Sequence, residues 1–285
     1  MIRWFASLAL SALALVAVVS WLTVRASLPL LDGEIFVNGI NAAAIIERDA
    51  AGFPTITASN RTDLAFATGF AHGQDRFFQI DLIRRQAAGE LSEIIGKAAT
   101  ETDKRNRFHR FRSRAQAAVR SLPEFESALL DSYAAGVNEG LASLAAKPFE
   151  YFLLRVDPEP WLPEDSVLVV FAMYVQLNDS RAIRDVRRGL VHRIVPGAVY
   201  AWMYPQGTPW DAPLMGEARP AAPVPPADIY SIRDVYSKPP DPNEIGKPFL
   251  NGSNNWAVSG ALTSTGRAMV SNDMHLGLST PNIYY

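Results

Sequence analysis

Cysteine is missing from this 285-residue sequence. Disulfides and cysteine-ligated metals are therefore excluded, although the absence does not assign a compartment. A surplus of one charge is missing too: 27 Lys and Arg face 29 Asp and Glu, for a net charge of −2. That balance argues against a polyanion as the main partner, and no nucleic acid is expected. Histidine is scarce, with four residues, and none forms a local pair with a carboxylate beside a serine. What remains is ordinary: 48% of the residues are apolar, enough to bury a globular core.

The first long feature is an apolar run over residues 4–24, behind Arg3 and ahead of Arg25. At about 20 residues it can span a bilayer, and it is long for the core of a signal peptide. Cleavage after Ala26 would suit a signal peptidase. Export is the expectation, to the periplasm or cell envelope, with residues 1–26 as a leader or a membrane anchor.

Short strands are expected at Ile35-Phe36-Val37, at residues 44–49 and at residues 55–58, the last two joined by a turn at Gly52-Phe53-Pro54. Asn60 then reads as an N-cap, with Asp63 at the third helical position. The helix that follows carries Phe66, Phe70, Phe77 and Phe78 at core spacing, with His72, Gln74 and Asp75 either on it or at a break near Gly69 and Gly73. His72 and Asp75 offer only two ligands, and a structural role suits them better than a metal. Residues 104–114 are dense in cations with interleaved aromatics, as a nucleic-acid patch would be. Glu90, Glu93, Glu101 and Asp103 lie near enough in sequence to pair with them, so an acid-paired helix face is the better reading. Helices are expected over residues 123–144 and 167–178, the second introduced by Pro163, Glu164 and Asp165. From residue 205 prolines disperse through a stretch with little apolar periodicity, which reads as an extended linker.

The most informative stretch lies near the C-terminus: Gly252-Ser253-Asn254-Asn255-Trp256-Ala257-Val258, a turn at residues 260–267, then Ala268-Met269-Val270-Ser271-Asn272-Asp273-Met274-His275. Alternation marks both arms as strands. Pairing Val258 with roughly Ala268 would set Ser253 beside the stretch from Asp273 to His275. A serine hydroxyl needs a proton acceptor, and a free N-terminal amine, titrating near pH ~8, can supply one. Cleavage of the Gly252–Ser253 bond would create that amine, and a glycine tolerates the strain such a cut requires. An ordinary turn before a strand would read the same way from these residues alone.

Two blocks, far apart and in order, carry a family resemblance. One is Gly69-Phe70-Ala71-His72-Gly73-Gln74-Asp75-Arg76-Phe77-Phe78-Gln79-Ile80-Asp81, continued by Arg85-Gln86-Ala87-Ala88-Gly89-Glu90-Leu91. The other is Gly252-Ser253-Asn254-Asn255-Trp256-Ala257-Val258 with Asn272-Asp273-Met274-His275-Leu276. Together they resemble the penicillin acylase family of N-terminal-nucleophile hydrolases, over most of the chain after the first thirty residues.

The resemblance implies an α+β protein of the four-layer αββα Ntn-hydrolase fold. Here it would be represented by a helical small chain (27–216), a spacer (217–252) and the first hairpin of a large chain (253–285). It implies self-cleavage after Gly252, with Ser253 as nucleophile and its own amine as base. Asn254 and His275 would support the site, His275 by orienting the amine or seating substrate rather than as a triad base. Met173 and Leu177 fall on positions lining the acyl pocket. Gln176 replaces an arginine found in penicillin-selective members, which disfavours a β-lactam specialist. A structural calcium is implied, with Asp185 as the first candidate ligand and Asp179 the second.

The implied function is hydrolysis of linear amides of small N-acyl substrates: penicillin-like, acyl-homoserine-lactone-like or other N-acyl amines. Small and large chains would form a heterodimer. The rival reading is a catalytically silent, membrane-tethered envelope protein that keeps the fold as a binding module. The oxyanion-stabilising groups are expected beyond Tyr285, so the residues given read as part of a longer precursor, inactive by themselves.

Overall fold

The computed structural model describes residues 2–178, 182–208, 210, 211, 213, 215–231 and 252–275, and excludes the side chains of residues 2, 3, 5–9, 252, 253 and 273–275. Helices dominate, and two separate antiparallel hairpins supply the strands, an α+β composition. The chain divides into two compact units, one reaching Val175 and the other beginning at Gln176.

The first unit opens with helix α1 (Ile2–Ala26) over the apolar run. Its last carbonyl, on Ala26, accepts from the Ala146 N–H at 3.0 Å. Among the described residues no helix is long and apolar enough to cross a membrane. The strand expected at Ile35-Phe36-Val37 does not form. Its three residues find no pairing partner, and Phe36 is 94% exposed.

Strands β1 (Ile45–Arg48) and β2 (Pro54–Thr57) pair from Ile45 opposite Thr57 to Arg48 opposite Pro54. The turn between them closes on the Asp49 carboxylate, which accepts from the N–H groups of Ala51 and Phe53 at 2.9 Å each. Gly52 takes the left-handed conformation there.

Helix α2 (Arg61–Ala88) starts where the capping pattern placed it, the Asn60 side chain accepting from the Asp63 N–H at 2.8 Å. It ends at Gly89, whose left-handed conformation lets its N–H reach the Arg85 and Gln86 carbonyls. Of the two alternatives at Gly69 and Gly73, the unbroken helix is the one that forms; α2 runs through both. Those glycines serve packing instead. Helix α6 (Glu124–Ala142) lies alongside α2 in the same direction, and a Cβ on Gly69 or Gly73 would fall 2.2 or 2.1 Å from the carbonyl oxygen of Tyr133 or Val137. Gly136 and Gly140 of α6 meet the Phe66 and Phe70 carbonyls in the same way, at 2.0 and 2.1 Å. Two backbones in direct contact tolerate no side chain between them.

The segment 104–114 folds as two helices, not one face: α4 (Thr100–Arg107) and α5 (Phe111–Arg120), with Arg110 in the left-handed conformation between them. Short helix α3 (Ser92–Ile95) precedes them, and Asp103 of α4 accepts from the Leu91 and Ser92 N–H groups at its start. Acid pairing holds for Lys104 with Glu101 and for Arg112 with Glu90. Helices α7 (Phe149–Leu154) and α8 (Pro163–Leu177) complete the unit's secondary structure. Its core consists of Phe77, Val137, Tyr151 and Trp161 on one side and of Ala87, Ala88, Phe111, Ala115 and Leu168 on the other.

The second unit holds helices α9 (Ile183–Ile194) and α10 (Gly197–Met203), and hairpin β3 (Gly252–Val258) with β4 (Met269–His275). Residues 215–231 form neither helix nor strand. The rest of the expected spacer, 232–251, lies outside the described residues.

Candidate active site

Period-2 alternation on both sides of a turn dictates the β3–β4 hairpin. Its turn is held by the Thr263 hydroxyl, which donates to the Arg267 carbonyl at 2.8 Å, while the Ser259 side chain accepts from the Ala261 N–H. Val258 pairs with Met269, one residue later than the expected Ala268. Ser253 accordingly stands opposite Met274, Gly252 opposite His275 and Asn254 opposite Asp273.

That offset matters because strand residues alternate between faces. Ser253 shares a face with Met274, whereas Gly252 shares the other with His275. The hairpin thus brings Gly252, Ser253, Asn254 and His275 to one end of a ladder and divides them between its two faces.

Met173 lies on α8, a helix with two apolar faces. The inner one carries Leu168, with Val167, Phe171, Ala172 and Val175 packed on the second core cluster, and the Phe171 ring stacks on Phe111 at 4.7 Å. On the outer face, Val170, Met173, Tyr174 and Leu177 follow at helical spacing and are 41–64% exposed. Gln176 and Leu177 are both exposed.

The start of α8 is pinned by ionic contacts that no local pattern announced. Asp165 is fully buried. Its carboxylate accepts from Arg84 at 2.5 Å, from Arg112 at 2.5 Å and from the Leu162 N–H at 2.8 Å. Arg84 also donates to the carbonyls of Glu159 and Pro160 and to Asp81, and lies over the Trp161 ring at 5.1 Å. Asp81 in turn accepts from Arg85 and from the Tyr151 hydroxyl at 2.7 Å. Burial, then the neighbouring Asp81, holds the Tyr151 hydroxyl well above its ordinary range. Burial alone would lower the Arg112 pKa; Glu90 and Asp165 outweigh it and raise it. The sequence signal for this network was a charged residue inside an apolar stripe, Asp81 between Ile80 and Leu82. Its partners lie too far along the chain to be read from spacing.

His72 and Asp75 hold the scaffold together. His72 Nδ1 lies 2.8 Å from the Tyr133 hydroxyl on α6, and Asp75 pairs with Arg48 of β1 at 2.7 Å. Burial lowers the His72 pKa, with Arg76 adding to the effect, and pushes Tyr133 up to about 12.

Asp185 is exposed in the first turn of α9, where a carboxylate favours the helix dipole. Asp179 lies outside the described residues. Among those described, no group of three or more His, Cys, Asp or Glu could hold a metal. Asp185 alone does not make a calcium site, which needs several oxygen ligands.

The model of the penicillin amidase family matches residues 43–285, and the chain belongs to that family. Among curated relatives, penicillin acylase 2 proenzyme of Pseudomonas sp. strain SE83 is 32% identical over 272 residues, covering 91% of this chain and 34% of the relative. The acyl-homoserine lactone acylase QuiP of Pseudomonas aeruginosa is 29% identical over 277 residues, covering 93% of this chain and 32% of that protein. The chain therefore spans about a third of the length of these relatives. A solved structure of thermostable penicillin G acylase from Alcaligenes faecalis superposes with a TM-score of 0.50 at 22% identity, covering 62% of this chain and 98% of the matched one. That likeness establishes the Ntn-hydrolase fold.

Proposed function

We propose that the protein, at the length of its relatives, is an exported hydrolase of linear amides that acts on small N-acyl substrates through Ser253. Cleavage of the Gly252–Ser253 bond would free the Ser253 amine. That amine accepts the hydroxyl proton as the oxygen attacks the amide carbonyl, then delivers it to the leaving amine. Water, deprotonated by the same amine, releases the acid from the acyl-enzyme. Asn254 and His275 support the hairpin end, His275 through its backbone rather than as a base. Small and large chains remain together as a heterodimer after cleavage.

The observation that carries the reading is the position of Gly252-Ser253 at the start of β3 in a member of this family. The apolar stripe of Met173 and Leu177 favours an apolar acyl group. A neutral Gln176 leaves no cation at that position for a substrate carboxylate, which favours N-acyl amines over β-lactams. Any calcium near Asp185 would draw its other oxygen ligands from outside the described residues, and no step of the reaction runs through it.

Intact-mass measurement and N-terminal sequencing of the full-length gene product, beside Ser253→Ala, test the proposal. A new N-terminus at Ser253, absent in the variant, is the expected result. One uncut chain in both would overturn the nucleophile assignment and leave a membrane-tethered binding protein as the working reading.

A further inference from the structure

We infer that Asp165, gripped by Arg84 and Arg112, is a positioning residue that sets acyl-chain selectivity by fixing α8; this rests on the acyl-binding reading of that helix. The argument starts from the two kinds of contact α8 makes. Its inner face packs through Leu168, Phe171, Ala172 and Val175 on an apolar cluster. Apolar packing is non-directional and by itself permits a helix to slide or roll. The contacts at its first turn are directional. Asp165 receives one guanidinium from α2 and another from α5, and its own helix's entering N–H at Leu162. Trp161, just ahead, exchanges two hydrogen bonds with Asn138 of α6: its N–H donates to the Asn138 side chain at 2.8 Å, and its carbonyl accepts from it at 3.0 Å. The indole N–H reaches Ser166 at 3.2 Å. Three helices therefore fix the start of α8 in rotation and along its axis.

The exposed stripe begins one turn later. Met173 lies eight residues beyond Asp165, about 12 Å along the helix axis. A tilt of about 5° at the anchor would carry Met173 sideways by about 1 Å by the same geometry. One methylene of fit in an apolar pocket changes selectivity by roughly ten- to two-hundredfold. An anchor of this kind can therefore set which acyl chain fits without touching it.

The test uses the full-length, matured protein with N-butanoyl and N-decanoyl 4-nitroanilides as probes. The readout is the ratio of kcat/KM for the two substrates, in which any loss of folded protein cancels. Met173→Ala examines the acyl-binding reading, while Asp165→Asn and Arg112→Lys examine the anchor. Asp103→Asn is the control, since it removes a comparable buried carboxylate that caps α3 and has no bond to α8 among those described.

The inference expects the ratio to move by about tenfold in Met173→Ala, Asp165→Asn and Arg112→Lys, the scale of one methylene of fit. Asp103→Asn should lower Tm and leave the ratio unchanged. If Met173→Ala moves the ratio but both anchor variants leave it in place, the positioning role is overturned and the acyl-binding reading stands. If Met173→Ala leaves it unchanged, the acyl-binding reading falls, and this inference with it. Should Asp165→Asn fail to fold, Arg112→Lys decides, because that side chain is 27% exposed and keeps its charge.

Discussion

Ser253 and His275 stand at the same end of the β3–β4 ladder but at alternate positions: Ser253 is paired with Met274, and His275 with Gly252. In the mechanism proposed above, the amine of Ser253, not His275, takes the proton.

Replacement of His275 by alanine should therefore lower kcat/KM by less than the ~10²–10⁴-fold expected when a general base is lost. Ser253→Ala should abolish both maturation and turnover. Intact mass and steady-state kinetics on the full-length protein separate the two. A His275→Ala loss as large as that of Ser253→Ala would refute the assignment.

Gly136, in the α2–α6 contact, and Gly189, on α9, should respond to alanine with opposite signs. Gly136→Ala would press a methyl group against the Phe66 carbonyl at 2.0 Å, and should destabilise by about 2–3 kcal/mol. Gly189 sits in α9 with nothing within 4 Å of its Cβ position. There alanine should instead stabilise the helix by up to about 1 kcal/mol. Thermal or urea unfolding of each variant reads the sign directly.

Asp63 should contribute to acid stability. Its carboxylate accepts from the Asn41 N–H and side chain, the Ala42 N–H and the Asn60 side chain, at 2.7–3.1 Å. These bonds, the Asn41 N–H foremost, hold its pKa below the ordinary value of 3.8. The unfolded chain then binds the proton more readily, so the stabilisation is complete above pH ~4 and drains away as pH falls through the folded value. Asp63→Asn should be less stable at neutral pH and show a shallower loss of Tm between pH 5 and about pH 2, the range where such a carboxylate titrates.

His72 should act in a milder range. Burial depresses its pKa below 6.5, so the unfolded chain binds the proton more readily, and stability falls as pH drops below 6.5 towards the folded value. His72→Gln should flatten the pH dependence of stability between pH 6.5 and about 5. An unchanged slope would show that His72 titrates alike in both states.

Much of the local structure was legible from sequence. Asn60 and Asp63 announced the start of α2 because a cap is a contact three residues long. The turn at Asp49 and Gly52 announced the first hairpin for the same reason. At Gly69 and Gly73 the sequence leaves a helix or a break open, because helix propensity counts glycine as a weakness, and only the facing Gly136 and Gly140 reveal why none can carry a side chain. The one-residue offset of Val258 onto Met269 was equally hidden, since alternation marks strands but does not choose between adjacent registers.

The sequence alone determined the family and the order of helices and hairpins, because those reside in neighbouring residues and in motifs of fixed spacing. Only the tertiary structure decided that Ser253 and His275 stand at alternate positions of the ladder, and that Arg84 reaches Asp165 across 81 positions of chain. Pairings of that kind depend on which helices the packed core brings together, and a buried charge finds its partner only after that packing is made.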